Sequence, residues 1–588
     1  MALSLTAICY LNAHVLKSET RTRTRAESLY RYGFFLTDVA AQSGINCVHD
    51  EPVLDSKLSS IMPEVASMGA SVTVVDYDQD GWDDIYVTNS APGSQNHLYH
   101  NLHNGKFEDV AAKFGIADLN KPGTGACMGA TWGDYDNDGY PDLLVYKWGR
   151  PELFHNDKGK GFTEVTEKAR LPAFVNANSA SWIDYNRDGK LDLLICGYYP
   201  DNVNLWHLNS TKMMPASFEY ASNGGSKFLL KNLGNGIFKD VTKSSGIDSH
   251  RWTLAIGAAD LFGSGYPDIV LANDYGVSQV YKNEGGTHFD EVGRQLGIGY
   301  APKSGMDVSF GDIYDQGKQS IYVSNIYSDG NLTQGNNLWV PRGSGSSLHY
   351  VNEAQDAGVE VGGWSFGAQF VDLNNDGFQD LFLTNGYISA DRNKSYWYDF
   401  SKISGGNHSI ISDAANWPPI GNMSLSGYEQ KRVWINDGFG KFTDVAQAVG
   451  VNDLHDGRAV AVSDLWNDGA MDVLVANQTG PLLVYRNEVD PKNSWVEFDL
   501  RGRKCNSEAV GAQVTLKWKN GQGQVLSQEQ DVASSSGFCA QNSHRLHFGL
   551  GRGGKISSVT IKWPEIPVAT QVIRNVPENT IVHIEEAR

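Results

Sequence analysis

A chain of 588 residues is too long for one ordinary hydrophobic core, so it holds several domains or a repeat architecture that grows by addition. Its 63 glycines and 41% hydrophobic residues favour a turn-rich, β-leaning protein over a helical one. The formal net charge of −20 argues against nucleic acid as a partner, because phosphates would be repelled, and suits cations or basic partners.

The first 33 residues are predicted to be a leader. The run from Ala2 to Leu16 is moderately apolar, but no basic residue precedes it and no clean small-residue cleavage site follows. An atypical secretion signal and a disordered leader both remain open. No later stretch approaches about 18 consecutive apolar residues, so no membrane span is predicted.

A nine-residue acidic motif, DYDQDGWDD at Asp76–Asp84, recurs along the chain. Each copy lies between a small-residue segment and a short apolar strand, and is followed by a third strand ending in Asn and by a fourth strand, often of the type F-x-D-V. Such units describe the blades of a propeller. The seven copies begin at Asp76, Asp134, Asp184, Asp260, Asp312, Asp372 and Asp464.

The ends of the chain predict how the ring closes. No fourth strand follows the last unit, which reaches Asn487, but a matching segment lies at Leu36–Ala40. We expect this N-terminal strand to complete the seventh blade, which removes the open sheet edges. The predicted fold is therefore all-β, with a seven-bladed propeller over residues 34–490.

The spacing D-x-[DN]-x-D-G-x-x-D is that of a calcium loop, since calcium takes 6–8 oxygen ligands. Side chains at positions 1, 3, 5 and 9 and the backbone carbonyl at position 7 would supply them. An EF-hand is excluded because position 12 of the first loop is Val87 and the flanks are strands. Asp83, at an unassigned position, is expected to point outward. The predicted ligands are Asp76, Asp78, Asp80, Trp82, Asp84, Asp134, Asp136, Asp138, Tyr140, Asp142, Asp184, Asn186, Asp188, Lys190, Asp192, Asp372, Asn374, Asp376, Phe378, Asp380, Asp464, Asp468 and Asp472.

About four to five calcium ions are predicted, with a structural role. Loop seven carries Trp466 at position 3, which predicts weak binding, and loops four and five have lost most of their carboxylates. Calcium affinities of about 10⁻⁴–10⁻³ M serve modules outside the cell, so the protein is predicted to be secreted and extracellular, or periplasmic in a bacterium. The residues that replace ligands in loops four and five are Phe262, Ser264, Tyr314, Gln316 and Ser320.

Residues 491–588 are predicted to form a second, small β-sandwich or barrel, because apolar and polar residues alternate between glycine turns. His544 and His547 are expected to line a strand rather than bind a metal. Cys505 and Cys539 either pair or remain buried thiols.

Two sets of motifs resemble known families. SFGA at Ser365–Ala368 resembles the signature of FG-GAP (VCBS) propeller repeats, and Ser507–Trp518, Ser535–Gly551 and Val559–Pro564 resemble the ASPIC/UnbV domain. This layout is similar to that of the cartilage acidic protein family and its bacterial homologues, over residues 34–586. The resemblance implies a secreted, calcium-binding, non-catalytic protein with poorly defined partners.

Two hypotheses for function follow. The first, which we favour, is an extracellular binding or adhesion module for a protein or glycan ligand. The second is a calcium-dependent enzyme, such as a cyclase or transferase of natural-product metabolism, with a small-molecule substrate in a pocket at one propeller face. No catalytic residue is assigned, and no cofactor other than calcium is predicted.

The enzyme hypothesis depends on two insertions, Tyr198–Gly225 and Ser389–Glu429, and on loops that are rich in aromatic residues. His49, Asp50 and Glu51 are candidate acid–base groups. A deep pocket lined by paired titratable groups would favour the enzyme, and a flat face would favour the binding module. The loop segments lie just after each second strand: Asn89, Trp148, Tyr198–Tyr199, Asn273–Tyr275, Asn325–Tyr327, Asn385–Tyr387 and Asn477.

Overall fold

The computed structural model describes residues 21–406 and 408–588, and most of its regular structure is β-strand. Seven four-stranded antiparallel meanders follow each other, each of which we interpret as one propeller blade. The strands are, for meander one, Ser71–Val75, Asp84–Thr88, His97–Asn101 and Phe107–Asp109; two, Gly125–Gly133, Asp142–Gly149, Glu152–Asn156 and Phe162–Glu164; three, Val175–Ile183, Asp192–Gly197, Lys227–Asn232 and Phe238–Asp240; four, Trp252–Ala259, Asp268–Asp274, Gln279–Asn283 and Phe289–Glu291; five, Ser309–Gly311, Ser320–Val323, Asn337–Arg342 and His349–Asn352; six, Ser365–Val371, Asp380–Asn385, Arg432–Asn436 and Phe442–Asp444; seven, Gly457–Ser463, Asp472–Asn477, Leu483–Val489 and Phe34–Asp38.

The N-terminal strand pairs with the last strand of the repeat region. Phe34–Asp38 runs antiparallel to Leu483–Val489, with Phe34 opposite Val489, and this confirms the predicted pairing. The first strand of meander one also contacts the first strand of meander seven, so the meanders close into a ring.

A helix precedes this N-terminal strand. It spans Arg25–Tyr32, and Thr24 and Glu27 form a capping box at its start. The helix lies within the segment predicted to be a leader, of which residues 1–20 lie outside the described residues.

Six of the seven third strands are tied to the preceding meander by an Asn at or near their end. The side-chain amide of Asn156 donates to the backbone carbonyl of Tyr77 at 2.9 Å, and that of Asn101 donates to the carbonyl of Leu465 at 3.0 Å. Hydrophobic clusters fill the space between neighbouring meanders. The recurring Asn of the sequence therefore bridges one meander to the next.

The C-terminal region is all-β, as predicted, and forms two sheets. Cys505 and Cys539 are both buried free thiols, so the disulfide between them, left open above, is not formed. The first sheet has the order Leu546–Arg552, Asn493–Arg501, Ile581–Glu585, and the second has the order Val525–Asp531, Gln513–Lys519, Lys555–Trp563, Ala569–Ile573.

The helices and minor strands lie in the connections. Within the described residues, no helix is both long and apolar enough to cross a membrane. The remaining α-helices are Met62–Ala66, Thr166–Ala169, Thr242–Ser245, Ala354–Ala357, Trp397–Ser404 and His408–Ile411; the 3-10 helices are Ala41–Ser43, Ser56–Ile61, Gly345–Ser347 and Ala414–Asn416; the minor strands are Tyr327–Ser328, Leu332–Thr333, Asp391–Ser395, Met423–Ser424 and Ala540–Gln541.

Candidate metal centre and the opposite face

All seven acidic loops connect the first and second strands of their meanders and share one turn. In the first loop, the carboxylate of Asp76 accepts the backbone N–H groups of Asp80 and Gly81 at 3.0 and 2.9 Å. The loop that begins at Asp312 has lost most of its carboxylates but keeps both hydrogen bonds, from the N–H groups of Gln316 and Gly317 at 3.0 and 2.6 Å. The turn therefore forms without carboxylates at positions 3 and 5. Position 4 has positive φ in every loop, at Gln79, Asn137, Arg187, Gly263, Asp315, Asn375 and Asn467.

The aspartate at position 9 connects the acidic loop to the third strand through hydrogen bonds. Asp84 is buried, and its carboxylate accepts the backbone N–H of Asn101 at 2.8 Å and that of Tyr77 at 3.4 Å. The same bond recurs between Asp142 and Asn156 at 2.8 Å. Position 9 thus joins the loop to the third strand, in addition to any role as a ligand.

Carboxylates converge in the first two loops. The oxygens of Asp76, Asp78 and Asp80 lie within 4.8 Å of one another, and loop two brings together the equivalent three aspartates. Oxygen donors of this kind suit a hard divalent cation. Burial, followed by the charge of the neighbouring Asp83, raises the pKa of Asp76 to about 7, and burial raises that of Asp84 to about 8. A bound cation would offset both effects.

Two histidines beside these loops were missed by the sequence reasoning. The Nδ1 atom of His100 lies 3.2 Å from a carboxylate oxygen of Asp84, and that of His155 lies 3.1 Å from one of Asp142. Both stand immediately before the Asn that ends the third strand, and this shared position could have identified them from the sequence. Because calcium prefers oxygen, we assign them as hydrogen-bond partners of the position-9 carboxylates.

The ligand count can be tested by comparing Asp376→Ala with Gln316→Ala. Asp376 accepts the N–H of Phe378 at 2.9 Å and would bind the ion, whereas Gln316 is exposed in a loop that lacks most carboxylates. We expect Asp376→Ala to lower the free energy of unfolding by about 2 kcal/mol in calcium and Gln316→Ala by less than about 0.5 kcal/mol. Urea unfolding in 1 mM calcium measures both, and equal losses would mean that the ligand count is misread.

The expectation that Asp83 points outward is wrong. Asp83 is 4% exposed and forms an ion pair with Arg545 of the C-terminal domain at 2.9 Å. Its carboxylate also accepts the hydroxyl of Ser463 at 2.6 Å. Burial alone would raise the pKa of Asp83, but the Arg545 guanidinium outweighs it and holds the pKa below its ordinary value. The loop pattern gives no sign of this because the partner lies in another domain.

The C-terminal domain covers the acidic loops. It contacts loop one through Arg545, and its contacts with other loops involve both side chains and backbone. The acidic loops therefore lie at a domain interface. Further contacts join the N–H of Asp134 to the carboxylate of Glu508 at 2.7 Å, Nε2 of His547 to Oδ1 of Asn375 at 2.7 Å, and the N–H of Glu529 to the carboxylate of Asp312 at 3.2 Å.

One loop of the C-terminal domain, residues 532–545, enters the axis of the ring; we call it the plug. Its Ala540–Gln541 strand pairs in parallel with Val72 and Thr73 of the first strand of meander one. It contacts the other six meanders at or beside their first strands, so it fills the centre of the propeller. These contacts are Gln541 with Trp132, Ser534 with Trp182, Ser535 with Ile256, Phe538 with Asp307, Ser536 with Gln369 and Asn542 with Val462.

The two histidines of this region have structural contacts. His547 lies on the strand Leu546–Arg552, as expected, with Nδ1 3.1 Å from a carboxylate oxygen of Glu497. His544 stands just before that strand, in the plug. Among the described residues, neither belongs to a group of three metal-ligating side chains.

The opposite face of the ring holds both insertions, because each lies between the second and third strands of its meander. Tyr199 and Tyr387, which follow second strands, converge there on the helix Met62–Ala66. The hydroxyl of Tyr199 donates to the carbonyl of Val65 at 3.0 Å, and that of Tyr387 donates to the carbonyl of Glu64 at 2.6 Å. The sequence named these tyrosines, and the helix supplies their common partner.

A cavity of about 30 Å³ lies among these aromatic side chains. We call it the aromatic cavity, and it is lined by two carboxylates, Glu64 and Asp274. The candidate acid–base groups at residues 49–51 are not part of its lining. His49 is instead buried with Nε2 3.0 Å from the hydroxyl of Ser90, and burial lowers its pKa to about 3. Glu64 was not predicted from the sequence. The feature that could have indicated it is that it is the single acidic residue in the apolar segment at residues 61–66.

A larger, open cleft lies on the same face of the ring as the aromatic cavity. Its volume is about 710 Å³, and we call it the insertion cleft because the first insertion forms part of its wall. Lys57, Lys121, Asn204, Trp206 and His207 contribute polar and aromatic groups to it.

Comparisons with family models match two parts of the chain. Residues 502–588 match the family described as ASPIC and UnbV, and residues 76–145 match the FG-GAP-like repeat. Among solved structures, the chain is similar to the BP39L lectin from Burkholderia pseudomallei, with a TM-score of 0.42, 10% identity and coverage of 72% of this chain and 97% of that one. It is also similar to an Agrocybe aegerita structure described as recognising non-reducing terminal N-acetylglucosamine, with a TM-score of 0.34, 14% identity and coverage of 70% and 87%.

Among curated proteins, the chain is 21% identical over 359 residues to cartilage acidic protein 1 of Mus musculus, covering 60% of this chain and 48% of the relative. The identity to the Homo sapiens protein is also 21% over 359 residues, covering 60% and 47%. The chain therefore spans about half the length of the curated relatives it matches. It carries FG-GAP-like repeats and an ASPIC and UnbV domain and is weakly similar to cartilage acidic protein 1.

Proposed function

We propose that this protein is a secreted β-propeller that binds a protein or glycan outside the cell and uses calcium as a structural ion. The weak similarity to cartilage acidic protein 1 and the two family matches support an extracellular module. The acidic loops support the calcium role, because their carboxylates converge at the domain interface rather than at an open face. Calcium there would hold hairpins and the covering domain together.

The insertion cleft is the observation that carries the binding role. The C-terminal domain covers the face with the acidic loops, which leaves the opposite face for a ligand. The cleft of about 710 Å³ on that face combines the partly exposed ring of Trp206 with Lys57 and Asn204. An aromatic surface beside hydrogen-bonding groups is suited to a sugar ring or to an exposed peptide.

Screening the protein against glycan and protein arrays tests this role. We expect a ligand whose affinity falls at least about tenfold in Trp206→Ala, because truncated aromatic side chains at interfaces commonly cost more than about 1 kcal/mol. Tyr300→Ala is the matched control, since Tyr300 is 62% exposed and lies outside the cleft. A ligand that binds Trp206→Ala and wild type equally would contradict the assignment of the cleft.

A calcium-dependent enzyme is the second candidate, and the aromatic cavity favours it. Glu64 and Asp274 are two titratable groups that line this one cavity, and burial raises the pKa of Asp274 to about 6. A carboxyl group whose pKa is raised toward neutral pH can act as a general acid on a substrate group that enters the cavity. Mass spectrometry of metabolite mixtures would detect a product that wild type forms and that Glu64→Gln does not. A product formed equally by both would exclude Glu64 from the reaction.

A further inference from the structure

We propose that the aromatic cavity binds an organic ammonium group. The inference names a ligand class for the face opposite the acidic loops, so it rests on the proposed binding function. The cavity is distinct from the insertion cleft, because the two have no lining residue in common.

Aromatic rings surround the cavity in a connected series. Such rings present negative faces, which attract a cation placed within about 6 Å of their centres. A site built from several rings therefore selects for positive charge on a compact, weakly hydrated group. The contacts between ring centres are Trp252–Tyr275 at 5.8 Å, Tyr275–Phe218 at 5.4 Å, Phe218–Phe400 at 6.0 Å, Phe400–Trp364 at 5.6 Å and Trp364–Tyr387 at 4.3 Å.

Glu64 is the available counter-charge in this cavity. It is 6% exposed, and neither of its carboxylate oxygens has a hydrogen-bond partner. The nearby Tyr396 hydroxyl lowers the pKa of Glu64 against the larger effect of burial, but it donates its hydrogen to the carbonyl of Pro418. A buried, unpaired carboxylate carries a large desolvation cost, which a bound cation offsets. Among the described residues, no ion pair involves Glu64.

Asp274, the second carboxylate of the cavity, is already satisfied. It accepts the hydroxyl of Tyr198 at 2.8 Å and the backbone N–H of Tyr275 at 2.9 Å. It holds the side chain of Tyr198 and the backbone of Tyr275 in place, while the oxygens of Glu64 have no hydrogen-bond partner. The site therefore offers one carboxylate without a hydrogen-bond partner, which is available to a positively charged ligand.

A neighbouring arginine shows that this region already stabilises a cation by the same chemistry. The guanidinium of Arg458 lies 4.0 Å from the ring centre of Phe366 and 5.6 Å from that of Tyr387. Its N–H groups donate to backbone carbonyls, including that of Ser67 at 3.0 Å. Arg458 is therefore fixed in the wall beside the cavity.

The size of the cavity limits the group it takes. The cavity, of about 30 Å³, is too small for a whole metabolite and takes at most the charged end of one. Tyr275 is partly exposed, so the rest of a longer ligand would extend out of the cavity beside this ring. A protonated or methylated amine at the end of a longer molecule meets both conditions.

Titration of the full chain with small amines, followed by isothermal calorimetry, tests the proposal. The probes are methylammonium, tetramethylammonium and choline, and the neutral control is 3,3-dimethylbutan-1-ol, which has the shape of choline without its charge. We expect at least one ammonium probe to bind at least tenfold more tightly than the neutral control. Glu64→Gln should weaken that binding at least tenfold, and Glu219→Gln, at an exposed position of the first insertion, should leave it unchanged.

The pH dependence gives an independent readout. Burial raises the pKa of Glu64 well above its ordinary value, and only the ionised form attracts a cation. The affinity for a quaternary probe, which cannot titrate, should therefore rise more steeply with pH in wild type than in Glu64→Gln, where Asp274 is the carboxylate of the cavity that still titrates. A flat profile in wild type would overturn the role of Glu64.

Two results would overturn the proposal outright. The first is equal affinity for choline and its neutral isostere, which needs no variant and so does not depend on whether Glu64→Gln folds. The second is the absence of binding by every ammonium probe. If an array ligand still binds and depends on Trp206, the proposed function survives while this inference fails.

Discussion

Removing calcium is expected to lower the melting temperature of the protein by about 5 °C. Loops one, two, three and six keep all four side-chain ligands. At a calcium concentration ten times the dissociation constant, each site adds about 1.4 kcal/mol to the folded state, or about 6 kcal/mol in total. An unfolding entropy of about 2.1 cal/mol/K per residue converts this sum into a shift of about 5 °C for a chain of this size.

Differential scanning calorimetry in 1 mM calcium and in excess chelator measures the shift. The matched control combines Asp80→Ala, Asp138→Ala, Asp188→Ala and Asp376→Ala, which removes position 5 from each of the four loops. That variant should melt at the same temperature in both buffers, because it has lost the sites through which calcium acts. A wild-type melting curve that chelator leaves unchanged would contradict the metal assignment.

The sequence predicted the repeat well, because its signal is local and periodic. The turn in each loop depends on the first Asp and on the glycine at position 6, and both recur in every copy. The position of the strand Phe34–Asp38 could be predicted because the last meander has no fourth strand of its own in the sequence that follows it. The Asn that ends most third strands was also recognised as a recurring residue, although the backbone carbonyl that it contacts in the preceding meander was not predicted.

Contacts between distant parts of the chain could not be predicted in this way. Asp83 and Arg545 are 462 residues apart, and neither lies in a pattern that names the other. Glu64 entered no motif, because its surroundings come from Tyr199 and Tyr387 in two different meanders. A repeat identifies the scaffold, whereas the cavity depends on side chains in which the copies differ.

The plug was also not predicted from the sequence. The variant Phe538→Ala tests how much the plug contributes to the free energy of unfolding. Phe538 is fully buried, its ring centre lies 5.3 Å from that of Phe366, and its N–H donates to Asp307 at 2.6 Å. Truncating it leaves a cavity at the axis, and we expect a loss of about 3–5 kcal/mol in the free energy of unfolding. Phe439→Ala removes the same atoms from a side chain that is 80% exposed and should cost less than about 0.5 kcal/mol.

The way in which Phe538→Ala unfolds separates a coupling role from simple loss of packing. Because the plug contacts all seven meanders, it should make the propeller and the C-terminal domain unfold together in wild type. In the variant, the calorimetric trace should split into two transitions, and protease should cut first near the junction at residues 490–493. A single transition that moves to lower temperature without splitting would mean that Phe538 contributes packing alone and that other contacts, such as the one between Arg545 and Asp83, couple the domains.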